Sequence, residues 1–158
     1  MMVSFNADNS QKFNLRAVCL IVKENRILFQ RFNNSDYWFL PGGRVEMMEE
    51  TQETIEREIN EEYGWKIKNK RLVWVVENFF RLDNKDFHEL GFYYLVEIEN
   101  GIEITEADFN CLEGISVNRW IHLSELEQYP IVPEFLRQGI DINQLQQTKE
   151  VKHIINRV

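Results

Sequence analysis

Cysteine, proline and long apolar stretches are scarce in this chain of 158 residues, which has two cysteines and three prolines. Each scarcity excludes something. Cys19 sits inside an apolar run and Cys111 lies far along the chain; they form no Cys-x-x-Cys pair and no metal-ligand spacing, so buried, reduced thiols and a cytoplasmic protein are expected. The apolar runs Ala17–Val22, Val73–Val76 and Phe92–Val96 fall far short of the roughly 20 residues that span a bilayer, so no transmembrane helix and no membrane partner are expected. The amino terminus, MMVSFNADNSQKF, has neither a basic start leading into an apolar stretch nor a small-residue cleavage site, and reads as no secretion signal. Positive charge is short as well, with 18 Lys and Arg against 26 Asp and Glu, a formal charge of −8. Such a chain lacks the basic footprint that grips a nucleic-acid duplex. What it does have is 44% hydrophobic and 13% aromatic residues, enough to build one core in a single domain over residues 1–158.

Nearly all of the net charge comes from one short window. Between Glu46 and Glu62 there are eight acids and one base, Arg57, which leaves 18 acids and 17 bases for the rest of the chain. Acids this dense repel one another unless they are solvated or share a cation. At about 100° per helical residue, Ile55 and Ile59 lie within about 40° of each other and face a core, while Glu58, Glu61 and Glu62 fill an adjoining arc of about 100°. Carboxylates three and four apart on a helix can converge on hard divalent cations such as Mg²⁺. Glu49, Glu50 and Glu53 also suit the positive end of the helix dipole. Just upstream, Trp38-Phe39-Leu40-Pro41-Gly42-Gly43-Arg44 reads as a short strand running into a turn, where glycine permits positive φ and close backbone approach.

Gly43, five residues, Glu49, seven residues, then Arg57-Glu58-Ile59-Asn60-Glu61-Glu62-Tyr63-Gly64-Trp65 resembles the signature box of the Nudix hydrolases, Gly-x5-Glu-x7-Arg-Glu-U-x-Glu-Glu-x-Gly-U, with U a bulky apolar residue. Trp65 departs from it in being larger than the usual aliphatic residue, which puts the packing of the following strand in question. The resemblance implies an α/β fold, an α/β/α sandwich with a mixed β-sheet, and hydrolysis of a nucleoside diphosphate linked to another moiety, with Mg²⁺ or Mn²⁺ required. By the same resemblance Glu58, Glu61 and Glu62 are metal ligands, joined by the Gly43 carbonyl. Glu58 or Glu61 is the base that deprotonates the attacking water, since members of the family differ on this. Arg57 orients a catalytic Glu, and Glu49 pairs with it or reaches the metal shell. Homodimers also fall within what the resemblance allows.

Elsewhere, Leu15–Gln30 reads as a β-hairpin about Glu24-Asn25, and Trp65–Phe80 and His88–Ile98 as strands joined by a polar link, Arg81–Phe87. Alternation sets Phe92, Tyr94, Val96 and Ile98 on a core face and Glu89, Tyr93, Leu95 and Glu97 on the other. Trp120-Ile121 is expected as a final short strand. A helical turn should follow from His122, and a helix should start at Pro133 and run to about Gly139. Glu150–Val158 is too short to classify. Glu89 is a candidate extra ligand or base. Some members of the family draw a further glutamate from the loop that here holds Glu103, Glu106 and Glu113. Tyr37, Phe79 and Phe80, each near a loop end, are candidates to stack a base, and Arg44 leads Arg31 and Arg81 as a phosphate contact.

A MutT-type nucleotide pyrophosphohydrolase acting on a small nucleotide, a nucleoside triphosphate or a relative of one, is the leading reading. In the family, ADP-ribose preference goes with a proline roughly 15 residues beyond the box, and this chain has none between Pro41 and Pro130. The alternative is a non-catalytic nucleotide-sensing regulator on the same fold, whose expected mark, loss of box acids, is not seen here.

Overall fold

The computed structural model describes residues 1–158. Nine strands are present: β1 (Ser4–Asp8), β2 (Gln11–Lys23), β3 (Arg26–Phe32), β4 (Gly42–Arg44), β5 (Ile67–Leu82), β6 (Lys85–Ile98), β7 (Phe109–Asn110), β8 (Ser116–His122) and β9 (Lys152–Arg157). The helices are α1 (Thr51–Tyr63) and α2 (Ile142–Gln147), with 3-10 turns at Leu123–Gln128 and Glu134–Gln138. The sheet order is β7-β8-β3-β2-β6-β5-β9, with β1 and β4 also pairing to β2. It is mixed: β2 with β6 and β5 with β9 run parallel, and the other pairs antiparallel. On one edge β2 meets β1 and then, from Arg16 to Val18, β4; further on, at Val22 and Lys23, the same edge passes to β3.

Side-chain alternation along β2 feeds two cores. Ala17, Cys19 and Ile21 pack with Ile55, Ile59 and Tyr63 of α1. Val18 and Leu20 point the other way, onto Leu126, Leu136 and Leu145 from the 3-10 turns and α2. The result is the α/β/α sandwich with a mixed sheet. Ile55 and Ile59 are both fully buried, each contributing roughly 1.5–3 kcal/mol, which fixes the roll of α1 and hence the direction of its acidic stripe.

Several expectations change in detail. The strands β5 and β6 run on to Leu82 and Lys85, so the polar link shrinks to Asp83-Asn84, both left-handed with φ of 50° and 62°. Asp and Asn tolerate that conformation, and the two-residue turn matches strand twist. A Phe80–Phe87 stack at 4.9 Å and an Arg81–Asp86 ion pair at 2.7 Å hold the hairpin end together. Glu24-Asn25 turns the β2–β3 hairpin the same way, with φ of 51° and 62°. Both faces of β6 are core, because Tyr93 and Leu95 lie under the 3-10 layer. Trp120-Ile121 lies within a seven-residue strand, and it is not the last one, since Lys152–Arg157 pairs with Trp74–Phe79. The stretch after Pro133 is 3-10, and Trp38 and Phe39 make isolated bridges while the strand itself falls on the glycines. Trp65 stacks on Tyr63 at 4.6 Å and abuts Phe109 and Trp120, so its bulk fills an aromatic cluster at the end of α1.

Candidate active site

The helix that carries the acids is well bounded. Its first turn is tied by the Glu53 side chain accepting from the Glu50 N–H at 2.9 Å, and it ends where the Gly64 N–H donates to the Asn60 carbonyl at 2.8 Å. β4 passes so close to its neighbours that side chains are excluded. A Cβ on Gly42 would stand 2.2 Å from the Ala17 carbonyl oxygen, and one on Gly43 2.3 Å from the Glu58 carboxylate. Glu58 therefore occupies room that only glycine leaves open.

Arg57 organises the stripe. Its Nε and Nη2 donate to the two Glu49 carboxylate oxygens at 2.9 and 3.0 Å, and its Nη1 donates to Glu58 Oε1 at 2.8 Å. Nη2 also reaches the Arg44 carbonyl at 3.3 Å, and Glu61 lies 3.6 Å from Nη1. Thr54 Oγ1 adds a 2.6 Å bond to Glu49, and the Glu46 N–H another at 3.2 Å. The guanidinium, with Thr54 in support, holds the Glu49 carboxyl down at about 2. Glu58 is pushed up by burial, against the pull of Arg57. Burial, reinforced by the nearby Glu58, pushes Glu62 up to about 8, and its Oε2 is buried with no hydrogen-bond partner. Two carboxylates that resist ionisation and an orphaned oxygen suit a site whose chemistry is completed by a cation.

The donors fit a hard divalent ion: three carboxylates and the backbone of Gly43, all oxygen, with Glu58 lodged against that glycine. They do not stand as a ready cage, since no group of three His, Cys, Asp or Glu side chains converges in metal-holding geometry. Glu58 is turned to Arg57, Glu61 is half exposed, and Glu62 is tucked under the helix end.

The remaining sequence candidates scatter. Arg44 is exposed beside Gly43 and faces Arg16 across the β2–β4 pair. Arg16, which the sequence did not single out, is close enough for its charge to oppose the burial shifts of both Glu58 and Glu62. Alternation gave no signal for it, since it shares with Val18 the face away from α1; its place opposite Arg44, where β4 meets β2, is what brings it near the acids. Glu89 accepts from Asn14 Nδ2 at 3.1 Å in a cross-strand row of Ser4, Asn14, Glu89, Asn78 and Asn156, on the sheet face away from α1. Tyr37 is 54% exposed on the segment leading to Pro41. Phe79 is held between His88 and Arg157, at 4.6 and 4.0 Å, and Phe80 stacks on Phe87. Cross-strand packing accounts for both; their rows meet β2 at Phe13 and Lys12, about 13 and 17 Å along the strand from the Ala17 that pairs with Gly43. Arg31 bonds the Ser35 carbonyl, and Arg81 pairs with Asp86. Among the loop acids, Glu106 pairs with Arg26 at 2.8 Å, whereas Glu113 lies near enough to raise Glu62. Its loop is tied to α1 by the Leu112 N–H donating to the Glu62 carbonyl at 2.7 Å.

The NUDIX domain family model matches residues 12–139, which takes in the whole of this geometry, and the chain belongs to the Nudix hydrolase family. Among curated proteins it is 30% identical over 114 residues to a putative ADP-ribose pyrophosphatase, YjhB, of Bacillus subtilis, covering 72% of this chain and 51% of that protein. It is 31% identical over 106 residues to a probable DHNTP pyrophosphohydrolase of Lactococcus lactis subsp. cremoris, covering 63% of each. The chain thus spans between about half and two thirds of the length of these relatives. Among solved structures, a MutT Nudix hydrolase from Burkholderia pseudomallei superposes with a TM-score of 0.56 at 22% identity, over 71% of this chain and 84% of that one. A Nudix hydrolase from Nitrosomonas europaea gives 0.60 at 16% identity, over 92% and 79%. These likenesses establish the fold. No helix of the chain is long and apolar enough to cross a membrane.

Proposed function

We infer that this chain, acting as one domain, hydrolyses the diphosphate anhydride of a nucleotide or nucleoside-diphosphate derivative with Mg²⁺ or Mn²⁺ held by Glu58, Glu61, Glu62 and the Gly43 carbonyl. The observation that carries this reading is the pairing of an over-bonded Arg57 with an orphaned, buried Glu62 oxygen on one helix face. Nudix hydrolases generally need a divalent metal, which when bound neutralises phosphate oxygens and acidifies a coordinated water. The chain supplies the rest. Arg57 keeps Glu58 and Glu49 in place, and either Glu58 or Glu61 accepts the proton of the attacking water. Arg44 and Arg16 form a cationic edge beside the acids and draw in the substrate phosphates. Glu113 is the loop acid best placed to assist, and Tyr37 is exposed for contact with a base.

The two curated relatives are named for different substrates but share cleavage of a pyrophosphate link, and this common denominator is what carries over. A nucleoside triphosphate or a related nucleotide remains our reading of the substrate. A product-release screen of nucleoside triphosphates, ADP-ribose, nucleotide sugars and dinucleoside polyphosphates, with Mg²⁺ and Mn²⁺, tests it. Turnover of at least one compound that stops on adding EDTA is expected. Nucleotide binding without any turnover would instead establish the non-catalytic sensing role.

A further inference from the structure

At the other end of β2 the sheet carries a second feature that the acidic helix does not explain. A cavity of about 980 Å³ opens beside Val22, Leu95, Leu123, Ile140 and Ile142. All five pack on the core beneath the 3-10 turns, so this wall belongs to the sheet face opposite α1, while Val96, Ile98 and Lys70 carry the rim round the end of the sheet. Val22 is five residues along β2 from the Ala17 that pairs with Gly43, a separation of about 17 Å. Arg71 of β5, paired in register with Leu95, lines this cavity. Both of its terminal nitrogens, Nη1 and Nη2, are buried and have no hydrogen-bond partner.

A buried guanidinium without an acceptor is strongly unfavourable, and its two parallel N–H groups match the two oxygens of a carboxylate or phosphate. The chain provides neither. Of the other cations on the wall, Lys70 pairs with Glu56 and Lys23 donates to the Ile102 carbonyl. None of the wall's acids bonds Arg71: Glu97 holds Lys68 and Asn69, Glu99 accepts from the Lys66 N–H, Asp141 caps α2 through the Gln144 N–H, and Glu24 stands on the β2–β3 turn. Around Arg71 the wall mixes apolar side chains with the amides of Asn69, Asn143 and Gln146. The volume lies within the range of small-molecule sites and far exceeds what one bridging water needs.

We propose that this cavity binds a small organic anion whose single carboxylate or phosphate group is gripped by Arg71 and whose apolar body lies on Val22, Leu95 and Ile142. The nearby Glu24, Glu97, Glu99 and Asp141 limit the charge the site can take, because their repulsion grows with the charge of the ligand and a polyphosphate would suffer it most. The site is therefore distinct in both place and ligand from the diphosphate site at α1, and it stands whether or not that reading holds.

Thermal unfolding of the full chain in EDTA, titrated with inorganic phosphate and separately with acetate at ionic strength matched by chloride, tests the proposal. The wild type should gain about 3–6 °C at ten times the dissociation constant of whichever anion binds, saturably and beyond chloride. Glu62→Gln should respond like the wild type. Arg71→Met should be unresponsive, with a midpoint in anion-free buffer at or above that of the wild type, since it removes an unsatisfied charge. Should Arg71→Met not fold, Asn69→Asp keeps the arginine and offers it an internal carboxylate two residues along the same strand face, and it too should lose the response. A response to phosphate alone assigns a phosphate ester, and one to acetate alone a carboxylate. Responses in Arg71→Met and Asn69→Asp equal to that of the wild type, or none in the wild type, would overturn the site.

Discussion

The two ends of β2 treat an arginine in opposite ways. At the α1 end, Arg57 is over-provided: a bidentate bond to Glu49, one to Glu58, and Glu61 at 3.6 Å. At the far end, Arg71 has buried nitrogens and no acceptor at all. The neighbouring sequence explains the contrast. Arg57 is the lone base among eight acids, whereas Arg71 closes the run Lys66-Ile67-Lys68-Asn69-Lys70-Arg71, which contains no acid. A guanidinium whose helix neighbours are carboxylates becomes scaffolding, and one whose strand neighbours are cations is left with open valences.

The sharpest way to break the first half of that comparison is to remove the charges that Arg57 organises. Glu58→Gln and Glu62→Gln should each lower kcat by roughly 10³-fold or more, with circular dichroism unchanged; near-normal rates in both at saturating Mg²⁺ would sink the site. Arg57→Lys should cost about 10- to 100-fold in kcat, because an ammonium cannot make the fork to Glu49 while reaching Glu58. A variant at wild-type rate would show that point charge alone suffices.

A smaller effect concerns pH. In chelator, Glu62 has a folded-state pKa of about 8 against an ordinary value of 4.5, so on raising the pH the unfolded chain gives up this proton first. The stability that protonated Glu62 allows is present below about pH 4.5 and is lost as pH rises through about 8. Glu62→Gln cannot ionise, so in EDTA at pH 9 it should be more stable than the wild type by on the order of 1–2 kcal/mol, the gap closing near pH 4 and on adding Mg²⁺. Denaturant titrations at both pH values check the sign. The smallest effect is expected at Glu106, whose side chain is 84% exposed in its pair with Arg26. Glu106→Gln should shift stability by less than about 0.5 kcal/mol and leave turnover alone, while Glu113→Gln should slow turnover several-fold.

How much of this was legible beforehand follows the range of the interactions. The acidic stripe could be read because Glu58, Glu61 and Glu62 share one helix, where spacing fixes direction, and Ile55 and Ile59 declare which side is buried. The two-sided burial of β6 was not legible, because Tyr93 and Leu95 are covered by 3-10 turns with no strong period of their own. β9 was not either, since six residues become a strand only by lying along Trp74–Phe79, far away in sequence. Asp83-Asn84 carried a readable turn signal, but the flanking Arg81, Lys85 and Asp86 made a paired hairpin end look like a loop. Arg71 was missed for a similar reason: what closes the space around it is Ile140 and Ile142 at α2, a helix too short to announce itself.

Gly43 bears on how this chain tolerates change. Glu58 sits where an alanine methyl at position 43 would have to be, so Gly43→Ala alters no charge and removes no ligand and yet displaces a proposed metal-binding carboxylate. The position is thus constrained by the room it leaves for a neighbour, and a search for inactivating lesions confined to polar residues would pass over it.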